Sequence, residues 1–287
     1  MKVITTIHEM QLEINKQKNQ SRSVGYVPTM GFLHEGHLTL IKKARNENDV
    51  VVLSIFVNPL QFGPDEDYDS YPRDFERDRA LAESEHVDFL FFPSVEEMYP
   101  SSPSIKITVE DRTNVLCGKS RPGHFNGVAT VLTKLFNIIM PHRAYFGLKD
   151  AQQVAVVDSL IKDFNFPIEL RPVEIIREQD GLAKSSRNVN LRPEERLQAP
   201  VLYKSLQAAR KSIENGERNT QNIIRIVSNI IETETNGLID YVELYSYPQL
   251  KLLEQLSGTV IIAIAVKFST VRLIDNLIIE IDERILE

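Results

Sequence analysis

The sequence is poor in cysteine: Cys117 stands alone among 287 residues, so no disulfide can form within one chain. A lone thiol is typical of a reducing compartment. Long apolar runs are also missing, since the longest one near the C-terminus, residues 260–266, is far too short to span a bilayer. The first residues show neither the apolar segment nor the cleavage site of a secretion signal. We therefore expect a cytoplasmic protein with no membrane partner.

Positive charge is scarce as well. The chain has 33 Lys and Arg against 40 Asp and Glu, a net charge of −7. This balance argues against a bulk attraction to nucleic acid or anionic lipid, although it allows a local basic pocket. Apolar residues make up 42% and charged residues 25%, which is ordinary for a folded globular protein. A chain of this length needs neither disulfides nor a structural metal to bury a core.

The hydrophobic pattern predicts two domains. Up to about residue 177, strands alternate with helices; we predict strands at 24–27, 50–57, 87–92, 144–146 and 168–176, and helices at 37–46, 72–86, 125–139 and 151–164. This alternation predicts a Rossmann-like α/β domain (1–177), a parallel sheet with helices on both faces. The helical patterns at 193–215 and 220–233 and the strands at 240–247 and 259–268 predict a smaller α+β domain, 178–287.

Two histidines lie between the end of the predicted strand 24–27 and the start of the predicted helix 37–46. His34 and His37 flank Gly36, directly after the Pro-Thr-Met-Gly of residues 28–31. The carboxyl ends of parallel strands bind ligands, and a helix N-terminus attracts phosphate. We favour phosphate binding over a helix cap and a surface histidine. A zinc site that adds His124 or Cys117 is the weaker alternative, because zinc-binding histidines on a helix usually stand at i, i+4.

Further polar residues follow the other predicted strands. The amides of Asn58 and Gln61 suit a small polar substrate, and Arg121 suits a carboxylate or phosphate. Lys149 and Asp150 open another helix, where they suit phosphate and ribose. The polar loop at 180–188 carries Lys-Ser-Ser-Arg, a compact group of anion donors. Each loop alone is compatible with a solvated surface, but together they predict a nucleotide site.

The motifs resemble those of the pantoate–β-alanine ligase family, within the nucleotidyltransferase superfamily that includes class I aminoacyl-tRNA synthetases. The resemblance covers nearly the whole chain and rests on segments that occur in that family's order: residues 28–37, 56–62, 71–73, 121–125, 146–153, 180–188 and 272–276. It implies an ATP-dependent ligase that joins D-pantoate to β-alanine through a pantoyl adenylate and releases AMP and pyrophosphate. It also implies Mg²⁺ on the phosphates, a C-terminal lid domain, a homodimer and no nucleic acid partner.

The resemblance implies roles for individual residues. Catalytic roles fall to His37, His34, Lys149, Ser185, Ser186 and Arg187. ATP would contact Met30, Gly31, Phe32, Leu33, His34, Glu35, Gly36, His37, Gly147, Leu148, Lys149, Asp150, Ile176, Lys184, Ser185, Ser186 and Arg187. Pantoate would contact Gln61 and Gln153, and β-alanine would contact Gln61. Accessory positions are Asn58, Arg121, His124 and Asp78, the last as a helper to the metal. Many relatives have Met in place of Lys184.

Two rival functions remain. The chain could be a different nucleotidyltransferase that joins a nucleotide to a phosphate acceptor, or a nucleotide-binding regulatory module without activity. The presence of every polar position of an active member argues against the second. A tRNA synthetase is disfavoured by the net charge of −7 and by the lack of length for an anticodon domain.

Overall fold

The structure is a computed structural model that describes residues 1–64, 66 and 68–281. The chain divides into two compact units, with the division after Glu174, whereas the sequence predicts a boundary after Arg177. Among the described residues, no helix combines the length and the apolar character that a membrane crossing requires.

The described residues of the first unit form a six-stranded parallel sheet in the order β1-β4-β3-β2-β5-β6. Its strands are β1 (Lys2–Ile4), β2 (Val24–Thr29), β3 (Val50–Ile55), β4 (Phe89–Phe91), β5 (Arg143–Gly147) and β6 (Glu169–Val173). The chain runs outward from β2 through β3 to β4 and then returns to β5 on the other side of β2. The crevice between the carboxyl ends of β2 and β5 is therefore the switch point at which such sheets bind ligands.

Helices cover both faces of this sheet, as predicted. They are α1 (Ile7–Asn19), α2 (Glu35–Glu47), α3 (Phe75–Ser84), α4 (Val95–Met98), α5 (Leu116–Ser120), α6 (His124–Ile139) and α7 (Ala151–Asp163). One apolar cluster joins the sheet to α1, α6 and α7 through Met10, Phe136 and Leu160. A second cluster on the opposite face joins it to α2 and α3 through Ile41 and Ala82. The buried strands read as continuous apolar runs for this reason.

Some predicted elements differ from the observed ones. β1 and α1 are not among the predicted elements, because a strand of three residues gives no periodic signal and α1 buries only Met10 and Ile14. The helix predicted at 72–86 begins only at Phe75, because the Asp74 side chain caps it by accepting from the Arg77 N–H at 3.2 Å. The strand predicted at 168–176 ends at Val173.

The second unit combines helices with a three-stranded antiparallel sheet in its described part. Its elements are α8 (Pro193–Gln198), α9 (Val201–Glu214), α10 (Thr220–Glu234), β7 (Leu238–Ser246), β8 (Thr259–Lys267) and β9 (Arg272–Glu280). The pattern predicted as one helix at 193–215 is two, with Pro200 at their junction, because proline cannot donate the backbone bond that a continuous helix needs. β9 is not among the predicted strands, since Asp275 and Asn276 interrupt its apolar pattern although both are buried.

Candidate active site

The loop after β2 has an unusual backbone. Gly31 and Phe32 both adopt positive φ angles, +86° and +49°. A side chain at Gly31 would place its Cβ 2.9 Å from Ile55 Cγ2 and 3.0 Å from Asp78 Oδ2. Both the φ angle and the close approach therefore require glycine there. The loop turns sharply and delivers the chain to the start of α2.

Asp78, on α3, holds this loop in place. Its carboxylate is almost fully buried, and its two oxygens accept hydrogen bonds from the backbone N–H groups of Phe32 at 2.6 Å and Leu33 at 2.7 Å. Burial raises the pKa of Asp78 from its ordinary value, and the two N–H donors oppose that rise. Arg77 donates to the Leu33 carbonyl at 2.9 Å. Both carboxylate oxygens of Asp78 thus accept hydrogen bonds from backbone N–H groups, which gives this residue a structural role distinct from metal binding.

His34 and His37 are held by the first turn of α2. Nδ1 of His34 accepts from the Gly36 N–H at 3.2 Å, and Nδ1 of His37 accepts from the His34 N–H at 3.3 Å. Because a backbone N–H can only donate, each neutral ring carries its proton on Nε2. The ring centroids lie 4.0 Å apart. The helix terminus therefore presents two adjacent Nε2–H donors.

His37 is neutral at pH 7. Its pKa lies well below the ordinary value, first because the ring is desolvated and then because His34 and Lys149 repel a positive charge. Lys149 belongs to the short 3₁₀ turn Leu148–Asp150 after β5, the strand next to β2. Its Nζ lies 3.6 Å from Asp150 Oδ2. The structure thus brings the imidazole pair and Lys149 to the switch point of the sheet.

Asn58 and Gln61 form a second cluster, after β3. Asn58 is 1% exposed; its Nδ2 donates to Gln61 Oε1 and to the Gly127 carbonyl, both at 3.1 Å. Its Oδ1 accepts from the Tyr99 hydroxyl at 2.9 Å. Gln61 Nε2 lies 3.2 Å from Met30 Sδ. Asn58 therefore fixes which end of the Gln61 amide faces the Met30 loop, and that end is a hydrogen-bond donor.

Arg121 and His124 are engaged within the protein. The Arg121 guanidinium donates to both carboxylate oxygens of Glu66, at 2.7 and 2.6 Å. His124 Nδ1 donates to the Gln61 carbonyl at 2.7 Å, and its Nε2 accepts from Arg121 at 3.2 Å. Burial, with help from the Arg121 charge, lowers the pKa of His124 to about 4. Both residues thus support the backbone of Gln61.

The two neighbouring glutamines of α7 differ. Gln152 is buried; its Nε2 donates to the carbonyls of Arg112 at 2.7 Å and Val115 at 2.8 Å, and its Oε1 accepts from Gly118 N–H at 3.3 Å. Gln153 is half-buried at the next position of the helix. Gln152 is therefore a structural residue, and Gln153 keeps its predicted part in substrate binding as a hypothesis.

The predicted anion-binding residues of the second unit follow a small hairpin. Lys184 N–H donates to the Ile176 carbonyl at 2.9 Å, and Glu178 N–H donates to the Leu182 carbonyl at 2.8 Å. The hydroxyl of Ser185 then caps the 3₁₀ turn Ser186–Asn190 by accepting from Arg187 N–H at 3.2 Å. Residues 184–187 are half-buried. Hydroxyls and cations are thus concentrated on one short, hydrogen-bonded segment.

Comparison with known proteins settles the family. A family model described as pantoate-beta-alanine ligase matches residues 2–278 of this chain. The chain belongs to the pantoate–β-alanine ligase family. The enzymes of this family ligate pantoate and β-alanine with ATP, and this is the activity of the present chain.

Relatives in the pantoate–β-alanine ligase family match the chain over almost its whole length. A pantothenate synthetase of Geobacillus sp. (strain WCH70) is 63% identical over 281 residues, which cover 98% of this chain and 100% of the relative. The crystal structure of pantothenate synthetase from Thermus thermophilus is 45% identical with a TM-score of 0.91, covering 96% of this chain and 99% of its own. A Francisella tularensis pantoate-beta-alanine ligase, solved in complex with beta-gamma ATP and beta-alanine, is 35% identical with a TM-score of 0.78, covering 96% and 97%.

Three supporting residues of this ligase were missed by sequence reasoning. Arg77, Tyr99 and Glu66 contact Leu33, Asn58 and Arg121 respectively, and each comes from a segment distant in sequence from its partner. A charged or aromatic residue in an ordinary surface pattern gives no signal of such a contact. Within residues 1–64, 66 and 68–281, no group of three or more His, Cys, Asp or Glu could hold a metal ion, so the zinc alternative has no support.

Proposed function

We propose that this ligase works in two steps through a pantoyl adenylate. In the first step a carboxylate oxygen of D-pantoate bonds to the α-phosphorus of ATP, and the bond from that phosphorus to the α–β bridging oxygen breaks, so pyrophosphate leaves. In the second step the amine of β-alanine attacks the acyl carbon, the bond to AMP breaks and an amide forms. The observation that carries this proposal is the pair of Nε2–H imidazoles beside Lys149 at the N-terminus of α2.

This arrangement suits a transition state that gains negative charge on phosphate oxygens. Donors that are fixed beforehand stabilise such charge without reorganising during the reaction. An anion beside His37 would raise the pKa of its ring toward the ordinary value, because negative charge favours the imidazolium. No side-chain nucleophile is required, so positioning and electrostatics account for both steps.

Further contacts to ATP follow from the family resemblance. We propose that residues 30–37 hold the phosphates, that Gly147 to Asp150 hold ribose and phosphate, that the backbone at Ile176 holds adenine, and that residues 184–187 hold the triphosphate. Magnesium would enter as part of the ATP complex, because the described residues provide no carboxylate cluster for it and Asp78 is occupied by backbone N–H groups. The enzyme would act in the cytoplasm as a homodimer.

Gln61 and Gln153 are proposed to hold pantoate, with Gln61 also close to β-alanine. The fixed amide of Gln61 supports this, since its Nε2 is the end turned toward the Met30 loop. Gln61→Ala should weaken pantoate binding about ten- to a hundredfold, because a buried substrate group loses its partner. Isothermal titration with pantoate measures this, with Gln11→Ala on helix α1 as the control. Unchanged pantoate affinity in both Gln61→Ala and Gln153→Ala would remove these residues from the site.

The two-step route is tested by following the carboxylate oxygens of pantoate. With pantoate labelled by ¹⁸O in its carboxylate, adenylation and amine attack leave one labelled oxygen in AMP. Attack on the γ-phosphate would instead give an acyl phosphate, release ADP and place the label in inorganic phosphate. Mass spectrometry of the products separates the two routes. Label in inorganic phosphate, or ADP as the nucleotide product, would overturn the proposal even if the amide were made.

A further inference from the structure

One motif of the sequence has no place in the proposed chemistry. Residues 272–276, Arg-Leu-Ile-Asp-Asn, lie about a hundred positions beyond the segment proposed to bind ATP, on strand β9. Asp275 is 3% exposed and lies on the strand face that also carries buried Leu273 and Leu277. A carboxylate in such a position is costly unless it is paired and hydrogen-bonded. The residue that pairs with Asp275 therefore indicates the role of this carboxylate.

The partner is Arg177, at the start of the hairpin that leads to residues 184–187. Arg177 donates to both oxygens of Asp275, from Nη1 at 2.6 Å and from Nη2 at 2.9 Å. Nη1 also donates to the Gly181 carbonyl at 3.1 Å, at the turn of the same hairpin. The Arg177 guanidinium carbon lies 3.7 Å from the centre of the Tyr203 ring. One planar group thus binds a buried acid, the hairpin turn and an aromatic face together.

The hairpin turn packs against the same tyrosine. Gly181 has a φ of +95°, and a Cβ there would lie 2.7 Å from Tyr203 Cδ1. Arg177 itself pairs with Ala183 across the hairpin. The residues proposed to hold adenine and the triphosphate, Ile176 and Lys184, are joined by a backbone hydrogen bond at the base of this hairpin. Holding Arg177 therefore holds both ends of the proposed ATP segment.

We propose that Arg177 and Asp275 are positioning residues for ATP: the buried ion pair anchors the 176–184 hairpin to β9 and sets the geometry of Ile176 and residues 184–187. The inference rests on the proposed ATP role of that segment. Arginine is required rather than lysine, because only a guanidinium can bind the carboxylate with two bonds, donate to the Gly181 carbonyl and stack on Tyr203. Asp275 of the 272–276 motif thereby gains a purpose in the reaction although it is not proposed to touch substrate.

The same strand supplies a matched control. Arg272 donates to Asp240 from Nε at 3.0 Å and Nη2 at 2.6 Å, and its guanidinium carbon lies 5.6 Å from the centre of the Tyr241 ring. This trio has the same chemistry as Arg177, Asp275 and Tyr203. It is more exposed, with side chains 30% and 38% accessible. Arg272→Lys therefore makes the same chemical change at an ion pair that includes neither Arg177 nor Asp275.

The test compares Arg177→Lys with Arg272→Lys in the full-length enzyme. Arg177→Lys should raise the KM for ATP about tenfold, because the ATP contacts are no longer pre-positioned, and leave the KM for pantoate within about twofold. Arg272→Lys should leave both within about twofold, as expected for an exposed ion pair. The double variant Arg177→Met with Asp275→Leu removes both charges of the pair, so it should fold without the anchor and show the same ATP defect.

Hydrogen exchange separates this inference from the proposed function. Loss of the anchor should speed exchange of the Lys184 amide, which bonds to Ile176, whether or not the segment binds ATP. Unchanged exchange in Arg177→Lys and in the double variant, or an equal rise in both KM values, would overturn the anchor. Faster exchange with normal ATP affinity would instead overturn the ATP role proposed for the segment. Arg187→Ala checks that role directly, because it removes a proposed phosphate contact and leaves the anchor intact.

Discussion

The two segments proposed to contact ATP, residues 30–37 in the first unit and 176–188 in the second, are stabilised in different ways. In the first, the backbone takes left-handed angles at Gly31 and Phe32, and its N–H groups are bound by a buried carboxylate of another helix. In the second, the hairpin backbone bonds to itself, and ion pairs clamp it from outside: Arg177 to Asp275 and Arg196 to Glu178 and Asp180.

This difference determines which interactions each segment can make with a phosphate. The first presents imidazoles whose tautomers are fixed by backbone donors, so it supplies short, directed hydrogen bonds. The second presents lysine, arginine and hydroxyls that are half-buried, so it supplies charge that acts at longer range and is weakened by salt. We expect the first segment to govern the chemical step and the second to govern capture of ATP.

The largest effect is expected when one of the two imidazoles of the first segment is removed. His37→Ala and His34→Ala should each lower kcat about 100-fold or more, because a pre-positioned donor to the developing charge is lost. Steady-state kinetics with saturating ATP measure this, and His8→Ala on the exposed surface of α1 is the control. A near-normal kcat with only a raised KM for ATP would mean that the histidines bind ground state and transition state equally.

A smaller effect is expected from the carboxylate that shapes the first loop. Asp78→Asn replaces one acceptor by an NH₂ group that faces a backbone N–H, so the free energy of unfolding should fall by about 1.5–3 kcal/mol. Urea denaturation measures it, and kcat should fall in parallel because the loop carries the histidines. Glu76→Gln, exposed on the same helix, should change stability by no more than about 0.5 kcal/mol. Equal effects of the two variants would contradict the assigned contact.

Burial of His124 should also make the first unit sensitive to acid. The folded protein keeps His124 uncharged down to about pH 4, whereas the unfolded chain binds the proton near the ordinary pKa of 6.5. The stability that depends on neutral His124 is therefore fully present above pH 6.5 and is lost progressively as the pH falls toward 4.

Replacement of His124 isolates its share of this loss. In His124→Asn the amide can still donate to the Gln61 carbonyl, and the loss of stability between pH 6.5 and 4 should be shallower by up to about 1.4 kcal/mol per pH unit. Urea denaturation at several pH values measures the slopes. Identical slopes in His124→Asn and the wild type would show that His124 is not held neutral.

The smallest effect is expected at Lys184, one residue of the second segment. Lys184→Met should retain most of the activity, since the family resemblance implies that Met is tolerated at this position, with a rise in the KM for ATP of no more than about threefold. Arg187→Ala and Lys149→Ala should impair the reaction strongly. Assays at low and high salt add a check, because the contribution of residues 184–187 should shrink as salt screens it. A collapse of activity in Lys184→Met would show that its ammonium is essential in this chain.

Predictions from the sequence were correct for features that depend on neighbouring residues. The apolar runs of β2 and β3, the amphipathic helices and the residues at strand ends were all readable, because periodicity and strand polarity follow from neighbouring residues. Sequence prediction was less successful for β9, where Asp275 and Asn276 look like solvent-exposed residues. The structural role of Asp78 was not predicted, since nothing near it in sequence reveals that it accepts from the N–H groups of Phe32 and Leu33, and its metal role stays a prediction.

The sequence alone was enough to predict the chain order of strands β2 to β6, the family and the chemical types of the candidate residues. Which side chains hydrogen-bond to one another is visible in the tertiary structure alone. The protonated nitrogen of each imidazole, the orientation of the Gln61 amide and the pairing of Arg177 with Asp275 depend on single hydrogen bonds. Such bonds form between atoms that the fold brings within about 3 Å of each other, whatever their separation in sequence, and no local pattern encodes that distance.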